Sequence, residues 1–348
     1  MASPKHILVF RFSALGDVAM TAPVIRNLVS QYPNLHIYFV GQEHMQPLFT
    51  GIERVQFYPV DIKKWKGLGR IYQLSQQIKK DISFDAIADL HDSIRTKLLR
   101  FFLKGLFKNI PLAVIDKGRS EKEELTRPVN KKLRQLKTTF ERYAEVFAKI
   151  GLTVELNIEK GIGHPVKNKQ LLPFENRGQK IIGVAPFARH SAKLYPLEKM
   201  KEVVRRLAAQ PDTDILLFGS KGEAALTEEW EKEMQHVYSV AGRRNFTDEL
   251  NIISQLDVMI SMDSANMHLA SLYGVPVISI WGGTHPYLGF YGWGQLMNNA
   301  IQLDLPCRPS SVFGNKQCPV HGDKGCMEGI TPEIIVKKVS EVLEVNNL

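Results

Sequence analysis

The strongest constraint on the fold is an alternation of short β-branched runs with longer stretches of helical periodicity. This alternation is typical of βα units, in which parallel strands form a central sheet flanked by helices. In the first half, the predicted strands are His6–Phe12, His36–Val40, Arg54–Pro59, Phe84–Leu90 and Pro111–Ile115. Helices are predicted between them, and a long one near Lys131–Ile150 follows. The first half therefore predicts a doubly wound parallel sheet.

The second half repeats this architecture after a polar boundary. Residues 157–180 are rich in Gly, Pro and Lys, with weak periodicity, which indicates a domain boundary. Beyond it, the predicted strands are Ile181–Pro186, Asp214–Gly219, Val237–Val240, Val258–Met262 and Val275–Trp281. A last helix is predicted over Thr331–Val345, which opens with a Thr-Pro-Glu start signal. We therefore predict two Rossmann-like domains, residues 1–160 and 181–330, with a linker over 161–180 and a C-terminal helix within 331–348.

Composition narrows the class of protein. Hydrophobic residues make up 44% and charged residues 23%, as in ordinary globular domains. Three cysteines, an odd number, do not form a disulfide framework, so we expect a cytoplasmic protein. The net charge of +9 favours anionic partners. The sequence has neither a Walker A motif nor a Gly-x-Gly-x-x-Gly turn after the first strand, which argues against an ATPase and a standard dinucleotide oxidoreductase.

One basic segment is amphipathic. Leucines and phenylalanines of residues 98–107 alternate with Arg95, Lys97, Arg100, Lys104 and Lys108. Such a segment can lie on a membrane surface, and it can equally be an ordinary surface helix with its cations in water. Both interpretations stay open at this point.

The turn after the first strand is a candidate for catalysis. Gly16 permits a tight bend, and Asp17 follows at the predicted start of a helix. A carboxylate placed there could deprotonate a hydroxyl, although Asp is also a favoured helix cap.

Three turns of the second half carry groups that suit a phosphate. Asp263, Ser264 and His268 open a predicted helix after a strand, where backbone N–H groups and the helix dipole favour anions. Thr284 follows a Gly-Gly turn after another strand. Arg189 and Lys193 follow a third strand and are natural counter-charges for phosphate.

These stretches together resemble glycosyltransferase family 9, the lipopolysaccharide heptosyltransferases, nearly from end to end. The most specific parts are RFSALGDVAMTAP, DSANMHLASLYGVPVISIWGGTHP and Lys193-Leu194-Tyr195-Pro196. Weaker likenesses are Asp89–Thr96 and the cysteine-bearing loop before the last helix. The resemblance implies an α/β fold of two facing Rossmann-like doubly wound domains (the GT-B architecture). It also implies an inverting, metal-independent transfer from ADP-heptose to a lipopolysaccharide core or lipid A-type acceptor.

The resemblance also assigns roles to residues. Asp17 is the implied base, and Ser13 and Arg95 are assigned to the acceptor. The predicted donor-site residues are Lys193, Asp263, Ser264, His268, Arg189 and Thr284. We expect no cofactor beside the nucleotide-sugar co-substrate, no nucleic acid partner and a monomer. An anionic glycolipid acceptor implies peripheral contact with the cytoplasmic face of the inner membrane.

Some features depart from the family pattern or leave alternatives. Ala265 stands where the family usually has glycine, and it would be strained if the backbone there needs a positive φ. Glu223 is the acidic residue nearest to the place expected for a ribose contact. Another nucleotide-sugar donor with a surface-glycan acceptor, or a non-catalytic binder of anionic membrane or polymer, stays an alternative.

The cysteine-bearing loop has enough ligands for a zinc site. They are Cys307, Cys318, His321 and Cys326. Their spacing is tolerable but not diagnostic. Free structural thiols are the simpler interpretation, and the sequence predicts no metal.

Overall fold

The chain forms two compact α/β units in a computed structural model that describes residues 4–106, 110–158, 167–322 and 326–345. The first unit comprises Met1–Lys117 and Thr139–Ile162, and the second comprises Gly118–Thr138 and Gly163–Leu348. Residues 118–138, which the sequence placed in the first domain, therefore group with the second unit. Across the described ranges, no helix combines the length and apolar character needed to cross a bilayer.

The first unit is a doubly wound, entirely parallel sheet of five strands in the order β3-β2-β1-β4-β5. These strands are β1 (His6–Phe10), β2 (His36–Gly41), β3 (Val55–Pro59), β4 (Ala86–Asp89) and β5 (Leu112–Val114). Its helices are Leu15–Ala19, Thr21–Gln31, Leu68–Asp81, Ile94–Leu106 and Thr139–Ala148. After His6, the central strand β1 is a run of four fully buried apolar residues, so both of its faces are covered. Phe10 pairs with Asp89, so the carboxyl ends of β1 and β4 lie side by side.

The second unit has six parallel strands in the order β11-β10-β9-β6-β7-β8. They are β6 (Lys180–Ala185), β7 (Thr213–Leu217), β8 (Val237–Ser239), β9 (Val258–Met262), β10 (Val277–Ile280) and β11 (Ala300–Ile301). Its helices are Arg119–Thr126, Leu197–Ala208, Ala224–Glu233, Phe246–Ile253, Ala265–Leu272 and Pro332–Val345. The carboxyl ends of β6, β9 and β10 are neighbours, which is where ligands bind in open parallel sheets.

One predicted helix is shorter than expected. The helix predicted near Lys131–Ile150 spans only Thr139–Ala148. The preceding residues make tertiary contacts instead, because Lys131 Nζ donates to the carbonyls of Cys307 and Pro309, each at 2.8 Å. The Leu136 N–H donates to the Tyr287 carbonyl at 2.9 Å. These contacts override the local helical pattern.

Candidate active site

A buried arginine holds the carboxylate of Asp17 in the first unit. Asp17 is the third residue of the helix Leu15–Ala19, and its Oδ2 accepts from the Ala14 N–H at 3.1 Å. The same oxygen lies 2.8 Å from Arg11 Nη2, and the two side chains are 32% and 8% exposed, respectively. Asp17 is therefore not the N-cap residue, which is Ala14, but its carboxylate accepts from the N–H of that residue and also reaches solvent, as a base must.

Arg11 and Tyr143 fix the position of Asp17. Arg11 Nη1 donates to the Leu90 carbonyl at 2.7 Å, which ties the end of β1 to the end of β4. The Tyr143 hydroxyl donates to the Asp17 carbonyl at 3.2 Å, and Arg11 lies 6.0 Å from the centre of the Tyr143 ring. Both the backbone and the carboxylate of Asp17 are thus held by groups from other elements.

His91 joins this turn as a neutral imidazole. Its Nδ1 accepts from the Phe12 N–H at 3.4 Å, and its Nε2 lies 3.5 Å from Ser13 Oγ. Burial, followed by the charges of Arg11 and Lys117, lowers the pKa of His91 to about 3. A neutral imidazole can accept from Phe12 and donate to Ser13 at the same time.

Two arginines follow the turn after β4, and they differ in their contacts: Arg100 is bound to Asp89, and Arg95 is not. Asp89 is fully buried, and its Oδ1 accepts from the N–H groups of His91 and Asp92, both at 2.9 Å. Its Oδ2 binds Arg100 Nη1 at 2.5 Å. Half-buried Arg95 has no hydrogen-bond or ion-pair partner among the described residues, so its guanidinium can bind an anion.

An ion pair marks the second unit. Lys193 ends the short 3₁₀ turn Ser191–Lys193 after β6, and Asp263 directly follows β9. Lys193 Nζ lies 2.6 Å from Asp263 Oδ2, and the side chains are 15% and 5% exposed, respectively. The adjacency of β6 and β9 brings these two residues together.

The helix Ala265–Leu272 begins next to this pair. Ser264 occupies its N-cap position in an extended conformation, and Ser264 Oγ lies 3.0 Å from Ser261 Oγ. Ala265 is already helical, so it is not in the positive-φ conformation that would strain an alanine. His268 lies one turn further on and is buried. The first N–H groups of such a helix form a natural anion site.

The Gly282-Gly283-Thr284 turn closes the same edge of the sheet. A Cβ at Gly282 would lie 2.8 Å from the Ala192 carbonyl oxygen, and one at Gly283 would lie 2.9 Å from Ala192 Cβ. Both positions therefore need glycine, because the turn packs directly against the residue before Lys193. Thr284 is fully buried, and its Oγ1 has no hydrogen-bond partner within the described ranges.

Comparison with known proteins decides the family. The model of "Glycosyltransferase family 9 (heptosyltransferase)" matches residues 71–321, which is more than half of the chain. The chain belongs to glycosyltransferase family 9. It is therefore a glycosyltransferase.

One curated relative matches this glycosyltransferase over most of both chains. The lipopolysaccharide core heptosyltransferase OpsX of Haemophilus influenzae is 25% identical over 295 residues, covering 82% of this chain and 81% of the relative.

Solved structures confirm the GT-B fold of the glycosyltransferase. A family 9 transferase from Veillonella parvula has a TM-score of 0.73 and 17% identity, with 98% of each chain covered. The ADP-heptose LPS heptosyltransferase II of E. coli has a TM-score of 0.67 and 18% identity, covering 99% of this chain and 100% of that one.

Sequence reasoning missed three groups that organise the transferase's turns. Arg11 and His91 lie in stretches that carry the family resemblance, but no role was predicted for them, because their contacts depend on the adjacency of β1 and β4. The third is Arg308, which is 4% exposed and donates to the carbonyls of Gly282 at 2.6 Å and Thr284 at 3.0 Å. Burial lowers the pKa of Arg308, and these carbonyls satisfy its donors.

The remaining predicted residues lie apart from these contacts. Arg189 is exposed on the loop before Lys193. Glu223 closes its own loop, because its Oε2 accepts from both the N–H and the hydroxyl of Ser220 at 2.7 Å. The four potential metal ligands of the cysteine-bearing loop, by contrast, cluster together in the second unit.

Proposed function

We propose that this glycosyltransferase moves a heptose from ADP-heptose to an anionic, lipopolysaccharide core-type glycolipid, with inversion at the anomeric carbon. The observation that carries the proposal is the Lys193–Asp263 pair beside the N-terminus of Ala265–Leu272, at the carboxyl edge of β6 and β9. This arrangement combines a cation with the N-terminal N–H groups of a helix, which suits a diphosphate.

The donor diphosphate binds the second unit in this proposal. Lys193 Nζ and the N–H groups near Ser264 take the phosphate oxygens, and His268 donates from one turn deeper. Charge that develops on the leaving ADP is stabilised by these fixed dipoles, so the transfer needs no added divalent cation. The relative from E. coli is named for ADP-heptose, which supports the same donor here.

Asp17 is the base of a single displacement. The acceptor hydroxyl oxygen attacks the anomeric carbon while the bond from that carbon to the phosphate oxygen breaks. Asp17 takes the hydroxyl proton, and ADP leaves with the electron pair of the broken bond. The ion pair with Arg11 and the bond from Ala14 hold the carboxylate in one orientation, which general-base catalysis requires.

The acceptor binds the first unit, near a basic helix that touches the membrane. Arg95 lacks a partner among the described residues and is the anion contact, with Ser13 as a hydroxyl contact.

On the helix Ile94–Leu106, Leu99 and Leu103 are buried, whereas Ile94 and Phe101 are 79% and 70% exposed. These exposed side chains suit peripheral contact with a bilayer from the cytoplasmic face. Phe107 and Lys108 of the predicted amphipathic segment lie outside the described residues.

A donor panel tests this function. Purified protein is incubated with ADP-heptose or with a UDP- or GDP-sugar, with and without a lipid A-type acceptor carrying the anionic core sugar, and nucleotide release is measured. We expect acceptor-dependent release from ADP-heptose alone. Nucleotide release from a UDP- or GDP-sugar would show that the donor is not ADP-heptose. Salt-sensitive binding to vesicles without any nucleotide release would support the alternative of a non-catalytic binder.

A further inference from the structure

Four side chains with metal-binding atoms converge in the second unit. Cys307 Sγ, Cys318 Sγ, a ring nitrogen of His321 and Cys326 Sγ all lie within 4.8 Å of one another. They come from three separate stretches of the loop between β11 and the helix Pro332–Val345. The chain has three cysteines, and every one of them is in this cluster.

Three of the six distances between the ligand atoms are close to the edges of a tetrahedron around a metal ion. Zinc binds thiolates at about 2.3 Å and imidazole at about 2.0–2.1 Å, so tetrahedral ligands lie about 3.8 Å apart for two sulfurs and about 3.6 Å apart for sulfur and nitrogen. Cys307 Sγ lies 3.9 Å from Cys326 Sγ and 3.5 Å from His321 Nδ1. Cys318 Sγ also lies 3.5 Å from His321 Nδ1. The two sulfurs at 3.9 Å are much farther apart than the about 2.05 Å of a disulfide.

A tight turn presents two of the four ligands. The Gly322 N–H donates to the Cys318 carbonyl at 2.9 Å, and Gly322 has the positive φ of +60° that this turn needs. The turn therefore places Cys318 Sγ and His321 Nδ1 3.5 Å apart.

We propose that Cys307, Cys318, His321 and Cys326 bind one structural zinc ion. Three sulfurs and one imidazole nitrogen form the ligand set that zinc prefers, and four protein ligands leave no open position for chemistry. Cys318 and Cys326 are 4% and 3% exposed, whereas Cys307 is half-buried and His321 is exposed, so the ion would lie at the protein surface with two buried thiolate ligands. The site is separate from the transfer reaction proposed above.

The ion would hold the loop that frames the donor-side turns. Lys131 Nζ donates to the carbonyls of Cys307 and Pro309, and the Ser310 N–H donates to the Gly283 carbonyl at 2.9 Å. Further along, a Cβ at Gly314 would lie 2.5 Å from Lys193 Cγ, so the loop runs directly against the stem of that lysine. A metal bound by the four ligands would therefore hold in place the loop residues that contact Gly283 and Lys193.

Metal analysis of the intact protein tests the proposal. The full-length chain is purified without a histidine tag and without chelators, and its metals are measured by inductively coupled plasma mass spectrometry. We expect about one zinc ion per chain in the wild type, and less than about a tenth of that in Cys318→Ser and His321→Ala. His44→Ala, an exposed histidine outside the cluster, is the matched control and should keep its zinc.

Cobalt exchange gives a second measurement that does not depend on folding of a variant. Cobalt bound in place of zinc in the wild-type protein should show the visible bands of a tetrahedral thiolate site, and these bands should be unchanged in His44→Ala. Purified wild type that holds no metal and takes up no cobalt overturns the proposal. So does a denatured-state thiol titration that finds two of the three thiols oxidised. Neither measurement uses sugar transfer, so the site and the proposed activity can fail independently.

Discussion

Lys193 and Asp263 form an ion pair with Nζ 2.6 Å from Oδ2, and both side chains are nearly excluded from water. The carboxylate of Asp263 is therefore the counter-ion of Lys193, the cation that we assign to the donor diphosphate. In the proposed donor complex, a phosphate oxygen would share Lys193 with Asp263.

Substitutions in this ion pair should affect the stability of the protein and its affinity for the donor differently. Lys193→Met leaves the buried Asp263 uncompensated and should lower the free energy of unfolding by about 3 kcal/mol. Adding Asp263→Asn should restore most of that loss without restoring ADP affinity. Urea unfolding and calorimetric ADP titration of both variants check this, with Lys232→Met on an exposed helix position as the control. ADP affinity that recovers together with stability would mean that Lys193 does not contact the donor.

Arg11 should act on turnover and not on donor affinity. Arg11→Lys keeps the charge but loses the planar fork that reaches both Asp17 and the Leu90 carbonyl. We expect kcat to fall about 10- to 100-fold, because the carboxylate is no longer held in one orientation. Steady-state kinetics with ADP titration measure both quantities, and Arg70→Lys, an exposed arginine, serves as control. A kcat within twofold of wild type would show that Asp17 needs no such anchor.

We expect the free energy of unfolding to fall in acid because His91 is neutral in the folded protein. The pKa of His91 is about 3 in the folded protein, compared with 6.5 for an unperturbed histidine in the unfolded chain. The unfolded chain therefore binds a proton first as the pH falls. The stability that His91 contributes is therefore complete above pH 6.5 and is lost progressively below it, by at most about 2 kcal/mol near pH 5. In His91→Gln the unfolding free energy should fall less between pH 7 and pH 5 than in wild type. Equal pH slopes in the two proteins would contradict a neutral His91.

Much of the fold could be predicted from the sequence, because buried parallel strands leave a strong apolar signal. All ten predicted strands are present, and Val258–Met262 is correct at both ends. β11, with only Ala300–Ile301, was missed because a two-residue strand depends on pairing with β10 and not on a local pattern. The helix predicted near Lys131–Ile150 is longer than the observed helix Thr139–Ala148. The reason is that tertiary hydrogen bonds of Lys131 and Leu136 compete with helix formation.

The candidate site was predictable only in part. Asp17, Lys193 and Asp263 were found because each follows a strand and leads into a helix. The pairs Arg11–Asp17 and Lys193–Asp263 depend on which strands are neighbours and how the turns after them pack, and a sequence does not show this order. The roles of Ser13, Arg95, Arg189, His268 and Thr284 stay predictions.

The most direct test of the account is the transfer rate of Asp17→Asn. Asparagine keeps the shape and can still accept from the Ala14 N–H, but it cannot take the acceptor proton. Acceptor-dependent ADP release from ADP-heptose should fall about 100- to 10,000-fold, with ADP affinity unchanged and with Asp61→Asn, an exposed carboxylate of the same unit, at the wild-type rate. Transfer by Asp17→Asn at the wild-type rate would contradict the assignment of Asp17 as the base.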